Sequence, residues 1–254
     1  MQDAHNHLQD PSFDGELDDI VQAMLKQGVT RCVVNGTSPR DWQLVADIAK
    51  AYPKLIIPSF GLHPWQDPSP YWLSQLTSYI DNVPHACVGE CGLDRYVKNH
   101  DITSQQDVFE SQLELAAKRN LPLSIHCLRA WGLILEILES NALPQRGFLL
   151  HSYSGSKELL TRLVSLGAYF SFSGNILHKH NHNLRDTFKL IPPERILVET
   201  DAPNMLPPRS CIEHRLDREQ NHPANIKRIS AEASSIINTS LIQDNFERFF
   251  EHGF

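Results

Sequence analysis

Several absences narrow the reading of this chain before any motif is considered. It has no CxxC pair: Cys32, Cys87, Cys91, Cys127 and Cys211 are an odd, scattered set. That argues against a disulfide scaffold and suits a reducing, cytoplasmic compartment. No apolar run approaches membrane-spanning length, so no membrane partner is expected. The segment from Gln2 to Asp19 is polar and lacks the apolar core of a signal peptide. There is no Gly/Ser/Pro-rich linker, low-complexity tract or short repeat, so residues 1–254 read as one domain. An excess of positive charge is also missing. The formal net charge of −7 excludes a general nucleic-acid coat but not a local basic patch. Nothing in the sequence requires more than a monomer.

The pattern that is present alternates strand and helix almost without interruption. Strands are expected at about 2–7, 31–36, 55–61, 86–90, 121–126, 147–151, 168–174 and 195–201. They are near-continuous apolar runs, as in strands covered on both faces. Between them lie segments with apolar residues at helical spacing. Examples are 16–28 (Leu17, Ile20, Val21, Met24 and Leu25 on one face), 39–52 opening at Pro39, 70–82, 103–119 and 183–190. Ser156 reads as the N-cap and Gly167 as the C-cap of another helix. Two amphipathic helices close the chain. Eight such units in 254 residues predict a single-domain α/β fold, a (β/α)8 TIM barrel. A doubly wound open sheet is the alternative, weakened because no glycine-rich phosphate loop follows the first strand.

Six residues distant in sequence fall at the C-terminal ends of these strands: His5 and His7, Glu90, His126, His151 and Asp201. In a closed barrel those ends share the rim that carries active sites. The two-residue spacing of His5 and His7 puts both rings on one face of an extended chain. Any one of these residues alone would read as an ordinary strand-end or turn residue; their convergence is the signal. Four imidazoles and two carboxylates suit divalent metal, and they exceed what one catalytic zinc needs. Two metals sharing a bridging carboxylate would use all six. Imidazole-rich ligation favours Zn or Mn, with Mg able to serve a weaker second site. Asp3 lies one step deeper on the face of His5 and His7, the place of a residue orienting a ligand histidine. Cys127 follows a presumed ligand and reads as a small thiol on the opposite side of its strand.

The same residues carry a family resemblance. "DAHNHL" at 3–8 resembles the HxH motif of the TatD family of metal-dependent deoxyribonucleases, within the amidohydrolase superfamily. "GLHP" (61–64), "VGECGLD" (88–94), "LPLSIHCLRA" (121–130), "LHSYSGS" (150–156) and "LVETDAPNMLP" (197–207) resemble further TatD motifs, in order. "NHP" at 221–223 is similar to the family's closing Asn-x-Pro. The resemblance implies that His5, His7 and Asp201 bind one metal, that His126 and His151 bind a second, and that Glu90 bridges them. Asp201 would also orient or deprotonate the attacking water, giving Asp201 and Glu90 the catalytic roles. The implied activity is hydrolysis of DNA phosphodiesters from the 3′ end, on single strands or frayed ends. Some members of the family deacylate D-aminoacyl-tRNA, which is the alternative. A non-catalytic nucleic-acid-binding protein is a third reading, opposed by the intact ligand set.

Two positions depart from the family pattern. Leu128 stands where the family usually has arginine, with Arg129 next to it, and His222 stands where Glu is frequent. These concern substrate choice. On the substrate side, His63 and Arg129 are candidate contacts. Ser154, Gly155 and Ser156 would offer backbone N–H groups of a helix start to an anion. Arg95, Lys98, Arg129, Lys157, Lys179 and Arg209 fall in rim loops and would hold a phosphate backbone. The "HKHNH" at 178–182 lacks a carboxylate and reads as an exposed loop rather than a third metal site.

Overall fold

The computed structural model describes residues 1–97, 101–216 and 219–251. Eight parallel strands form one sheet in sequential order: β1 (Gln2–Asn6), β2 (Arg31–Asn35), β3 (Ile56–Phe60), β4 (Cys87–Asp94), β5 (Leu123–Leu128), β6 (Phe148–Leu150), β7 (Ala168–Phe172) and β8 (Ile196–Val198). Helices α1 (Leu17–Lys26), α2 (Trp42–Ala51), α3 (Trp72–Asn82), α4 (Ile102–Arg119), α5 (Trp131–Ser140), α6 (Leu160–Ser165) and α7 (His182–Phe188) return the chain between strands. After β8 come α8 (Ile226–Ser234) and α9 (Ile242–Phe246), the last continuing as a π-helical turn over Glu247–Glu251. This is the expected barrel. Among the described residues, no helix is long and apolar enough to cross a membrane.

The barrel interior is layered. Its lower end is apolar: Ala4, Val33, Ile57, Cys87, Leu149, Tyr169 and Leu197, one from each of seven strands, pack with Phe246, Phe249 and Phe250. The C-terminal segment therefore plugs the end away from the predicted rim. Arg31, 2.6 Å from Glu251, and the Arg146 guanidinium, donating to the Phe249 carbonyl at 3.1 Å, tie it down. Two residues further along the strands the side chains turn polar, with Asn35, Ser59, Ser171 and Glu199 all fully buried. Such a layer needs partners, and it lies next to the chemistry-bearing end.

Two strands carry one extra residue. Asp3 and Asn6 pair with Cys32 and Val34, so β1 advances three residues against two. Val88 and Cys91 pair with Leu123 and Ile125, giving the same shift in β4. Strict alternation would put Ala4 and His5 on opposite faces. The β1 bulge instead admits Ala4 to the lower interior layer and His5 to the rim cluster above it. The β4 shift spans Gly89 and Glu90, whose peptide bond is cis. Bulges are common at barrel rims and beside active sites, where they re-aim side chains. Close strand contact makes glycine necessary here. A Cβ on Gly92, which has φ of +141°, would stand 1.9 Å from the His126 carbonyl oxygen, and one on Gly61 would stand 2.5 Å from that of Glu90.

Several boundaries differ from the sequence expectation. β4 runs past Glu90 to Asp94, so Glu90 sits mid-strand. α2 starts at Trp42 rather than Pro39, because Asp41 spends its carboxylate on the N–H groups of Thr37 and Ser38. After β6 the chain makes a 3-10 turn (Lys157–Leu159) and then only the short α6. Ser156 occupies the N-cap position without a capping bond, its hydroxyl facing the Glu158 carboxylate and its carbonyl accepting from Tyr153. His178–His182 form a 3-10 turn leading into α7 rather than a loop. His178 donates to the Leu206 carbonyl at 2.9 Å, and His180 and His182 are exposed.

β8 closes on β1 through short-range bonds. Asp201 N–H donates to the His5 carbonyl (2.9 Å) and His7 N–H to the Ala202 carbonyl (2.8 Å). The fully buried Asp3 fastens the seam, accepting from Thr200 N–H (2.9 Å), Thr200 Oγ1 (2.6 Å) and Asn6 Nδ2 (3.2 Å). Burial pushes its carboxyl up to about 7, with the Thr200 and Asn6 donors pulling the other way. Asp3 thus clasps two strands, and its nearest bond to His5 is with the backbone N–H at 3.4 Å. Asp3→Ala should cost about 2–3 kcal/mol in urea unfolding, because it strands buried Thr200 donors. Asp3→Asn, which keeps an acceptor, should cost less.

Candidate metal centre

Glu90 lies at the middle of the rim, 3% exposed, with an imidazole pair at each oxygen. Its Oε2 is 3.4 Å from His5 Nε2 and 3.3 Å from His7 Nε2. Its Oε1 is 3.0 Å from His126 Nδ1 and 2.8 Å from His151 Nε2. Within each pair the facing nitrogens are 3.3 Å apart. Asp201 joins the first pair, with Oδ1 3.3 Å from His7 Nε2 and 3.7 Å from His5 Nε2. It holds a left-handed backbone (φ 52°) just beyond β8, a conformation that Asp tolerates better than most residues. The structure therefore brings the six sequence-predicted ligands to one place.

Hydrogen bonds on the far side of the rings indicate which nitrogens are free. His7 Nδ1 donates to the Asn35 carbonyl at 2.8 Å, which leaves Nε2 as a lone pair facing inward. His126 Nε2 donates to Asp94 Oδ2 at 3.1 Å, which leaves Nδ1 facing Glu90. His151 Nδ1 points at Glu199 Oε1, 3.6 Å away, and its Nε2 faces Glu90. For His7 and His126 an acceptor behind the ring fixes the tautomer, the usual support of a metal-ligating histidine, while Glu199 stands behind His151 without closing a hydrogen bond. His63 is wired the other way. Its Nδ1 accepts from Trp65 N–H at 3.2 Å, so Nε2 carries the hydrogen that meets Glu90 Oε1 at 3.3 Å. His63 is thereby a donor to the central carboxylate rather than an open ligand.

Inward lone pairs 2.8–3.4 Å from carboxylate oxygens repel unless a cation or proton lies between them. His5 Nδ1, His151 Nδ1, Asp201 Oδ1 and both Glu199 oxygens are buried and without hydrogen-bond partners. The buried nitrogen–carboxylate set is thus capable of binding divalent metal. The electrostatics agree. Burial would raise the Glu90 carboxyl, but the imidazoles of His63, His151 and His126 hold it well below the usual range. His7 and His151 are raised well above the ordinary imidazole value against the effect of burial, His7 by Asp201 and Glu90 and His151 by Glu90 and Glu199. His126 is raised by Asp94 and Glu90. His5 and His63 are lowered, chiefly by burial.

The acceptors behind the rings escaped sequence reasoning. Asp94 and Glu199 stand inside the "VGECGLD" and "LVETD" stretches; Glu199 fell near the end of an expected strand, whereas Asp94 lay four residues past the expected end of its own and becomes a strand end only because β4 is longer. Asp94 is held at about 2: burial opposes ionisation, but His126, Trp65 and the Tyr96 N–H outweigh it.

The remaining candidates spread outward. Arg129 is exposed and lies over the Tyr96 ring, 4.6 Å from its centroid. Ser154 and Ser156 are exposed on the loop after β6, while Gly155 is pressed against the Tyr153 ring, where a Cβ would stand 2.5 Å from the hydroxyl. With only a 3-10 turn and a six-residue helix behind it, this loop lacks the long helix start expected for an anion site. Arg95, Lys157, Lys179 and Arg209 are exposed, and Lys98 lies outside the described residues. Cys127 is buried in the helix-facing core, away from the ligand face. His222 Nδ1 accepts from Ala224 N–H at 3.0 Å and so caps a turn, while Asn221 binds the Thr200 carbonyl at 2.8 Å.

Comparison with known proteins agrees with this geometry. The model of the TatD related DNase family matches residues 2–251. The 3'-5' ssDNA/RNA exonuclease TatD of Edwardsiella piscicida is 30% identical, over 92% of this chain and 90% of its own. The metal-dependent hydrolase YcfH of Escherichia coli K12 is 27% identical, over 98% of this chain and 94% of its own. The crystal structure of the TatD homologue YjjV of Escherichia coli K12 superposes with a TM-score of 0.90 at 26% identity, covering 98% and 97% of the two chains.

Two outcomes follow for metal binding. Glu199→Gln and Asp94→Asn should each weaken metal affinity about 10–100-fold in chelator competition, since each removes an anionic acceptor behind a ligand ring. The raised imidazoles must also lose protons before a cation binds. Affinity should therefore rise with pH through neutrality, with proton release recorded by calorimetry in buffers of different ionisation enthalpy. A pH-independent affinity would contradict the raised imidazoles of His7, His126 and His151.

Proposed function

The chain belongs to the TatD related DNase family, and from that premise we propose that it hydrolyses phosphodiester bonds of single-stranded DNA from the 3′ end, using two divalent metals. The observation that carries this reading is the split of Glu90, one oxygen toward His5 and His7 and the other toward His126 and His151. A carboxylate so placed suits a bridge between two ions. The name of the Edwardsiella relative supports single-stranded nucleic acid as the substrate. Zn or Mn fits the imidazole-rich donors best.

Bound divalent metals supply positive charge against the charge that develops on the phosphoryl group, and they make water more acidic. The protein groups do the rest. His5, His7 and Asp201 would hold one ion, His126 and His151 the other, with Glu90 shared. Asp201, buried and kept ionised by the neighbouring imidazoles although burial opposes it, accepts the proton of the attacking water at its carboxylate. Its left-handed backbone and the β1–β8 bonds at Asp201 and Ala202 fix that carboxylate against the first pair. His63 donates from Nε2 to Glu90, steadying the shared carboxylate.

Asp201→Asn should lower the rate on end-labelled single-stranded DNA by at least about 100-fold while leaving oligonucleotide binding in place, as expected for loss of a general base. Equal loss of binding and turnover would mean that Asp201 acts only in holding the site together. Absence of shortening by the wild-type protein with Mn, Zn or Mg would refute the nuclease reading, and the same protein assayed on D-aminoacyl-tRNA would then test ester hydrolysis.

A further inference from the structure

One carboxylate organises more than the metal centre. Asp94 Oδ2 accepts from His126 Nε2 at 3.1 Å and from Trp65 Nε1 at 2.6 Å. Its Oδ1 accepts from the Tyr96 N–H at 2.7 Å. Gln105, reaching in from α4, binds the Asp94 backbone on both sides, with Oε1 on its N–H (2.8 Å) and Nε2 on its carbonyl (3.1 Å). A ligand histidine and two aromatic residues are therefore positioned by the same buried side chain.

Those two aromatics are exposed. Trp65 is 52% and Tyr96 60% exposed; of the exposed aromatics, which include Tyr71 at 73%, these two are the ones bonded to Asp94. The Trp65 ring stands edge-on to His63, with centroids 4.7 Å apart, and 6.2 Å from the His126 ring. Its one polar atom is already bonded to Asp94, so what it offers to solvent is apolar ring surface. The Arg129 guanidinium covers the Tyr96 ring at 4.6 Å. It brings a cation to the same edge of the mouth, next to exposed Arg95.

We propose that Trp65, together with the Tyr96–Arg129 pair, is a stacking platform for the terminal nucleotides of a single-stranded nucleic acid, set at a fixed distance from the metal centre by Asp94. This rests on the nuclease reading above and adds the residues that would hold the strand. An aromatic face accepts any base, because every base has a π-face, and stacking of this kind is sequence-tolerant. A guanidinium stacked on an aromatic ring keeps its N–H groups free for phosphate. Neither exposed ring has a role in the core, and leaving half of an indole in water has no folding benefit. A duplex end presents its bases already stacked and paired, so the platform suits frayed or single strands. Because Asp94 also orients His126, the base and the scissile phosphate would be placed by one rigid unit.

The test compares single-stranded oligonucleotides that are identical except for a normal or an abasic 3′-terminal residue. Wild-type, Trp65→Leu and Trp65→Phe proteins are assayed with metal for kcat and KM, and by fluorescence anisotropy for binding without turnover. The wild type should favour the normal end about ten-fold in KM and in binding. Trp65→Leu should abolish that preference in KM and in binding, and Trp65→Phe, which keeps a π-face, should retain most of it. Arg129→Ala should weaken both oligonucleotides equally and flatten the salt dependence. A base preference that survives Trp65→Leu, or equal loss for both oligonucleotides, would overturn the platform. A wild type that binds with the base preference but never cleaves would overturn the nuclease reading and leave the platform standing.

Discussion

The structure turns on one buried carboxylate held among imidazoles. Glu90 is buried, and it stays ionised because five histidine rings meet its two oxygens. An isolated charge at that depth would be prohibitive. The imidazoles are equally constrained, since lone pairs aimed at a carboxylate need a cation between them. Each side of the arrangement is unstable without the other, and together they form a set capable of binding divalent metal. The strands, bulges and seam of the barrel can be understood as the means of bringing these groups together.

Support for the cluster comes from behind. Asn35 and Asp94 each set a ring by its outer nitrogen from an adjoining strand, and Glu199, just past β8, stands behind His151. Below them the interior becomes apolar and is plugged by Phe246, Phe249 and Phe250. The two ends of the barrel thus have separate tasks. The plugged end is apolar, and the unpartnered atoms of His5, His151, Glu199 and Asp201 gather at the other, where a metal or substrate can satisfy them.

Much of this was legible in the chain. Apolar strands between amphipathic helices specified eight units, and strand-end positions alone gathered His5, His7, Glu90, His126, His151 and Asp201. What the sequence hid was non-local or irregular. Period-two alternation cannot foresee the extra residue in β1, which turns both Ala4 and His5 inward, or the one in β4 at Gly89 and Glu90. Asp3 was expected behind a ligand ring because it shares their face on a straight strand. With the bulge it meets Thr200 instead, nearly two hundred residues away. Asp94 and Glu199 were visible as acids, but their roles depend on which ring lies in front of them, and that is decided only by the closed barrel. Local capping failed at Ser156 for a related reason, because its polar groups are taken by Tyr153 and Glu158.

Glu90 is proposed to stand between two metal positions. Anomalous diffraction from crystals soaked in Zn or Mn tests it most directly. Two peaks about 3.5–4 Å apart are expected, one beside His5, His7 and Asp201 and the other beside His126 and His151, with Glu90 reaching both. A single peak at saturating metal, or a peak on His63 Nε2, would contradict it.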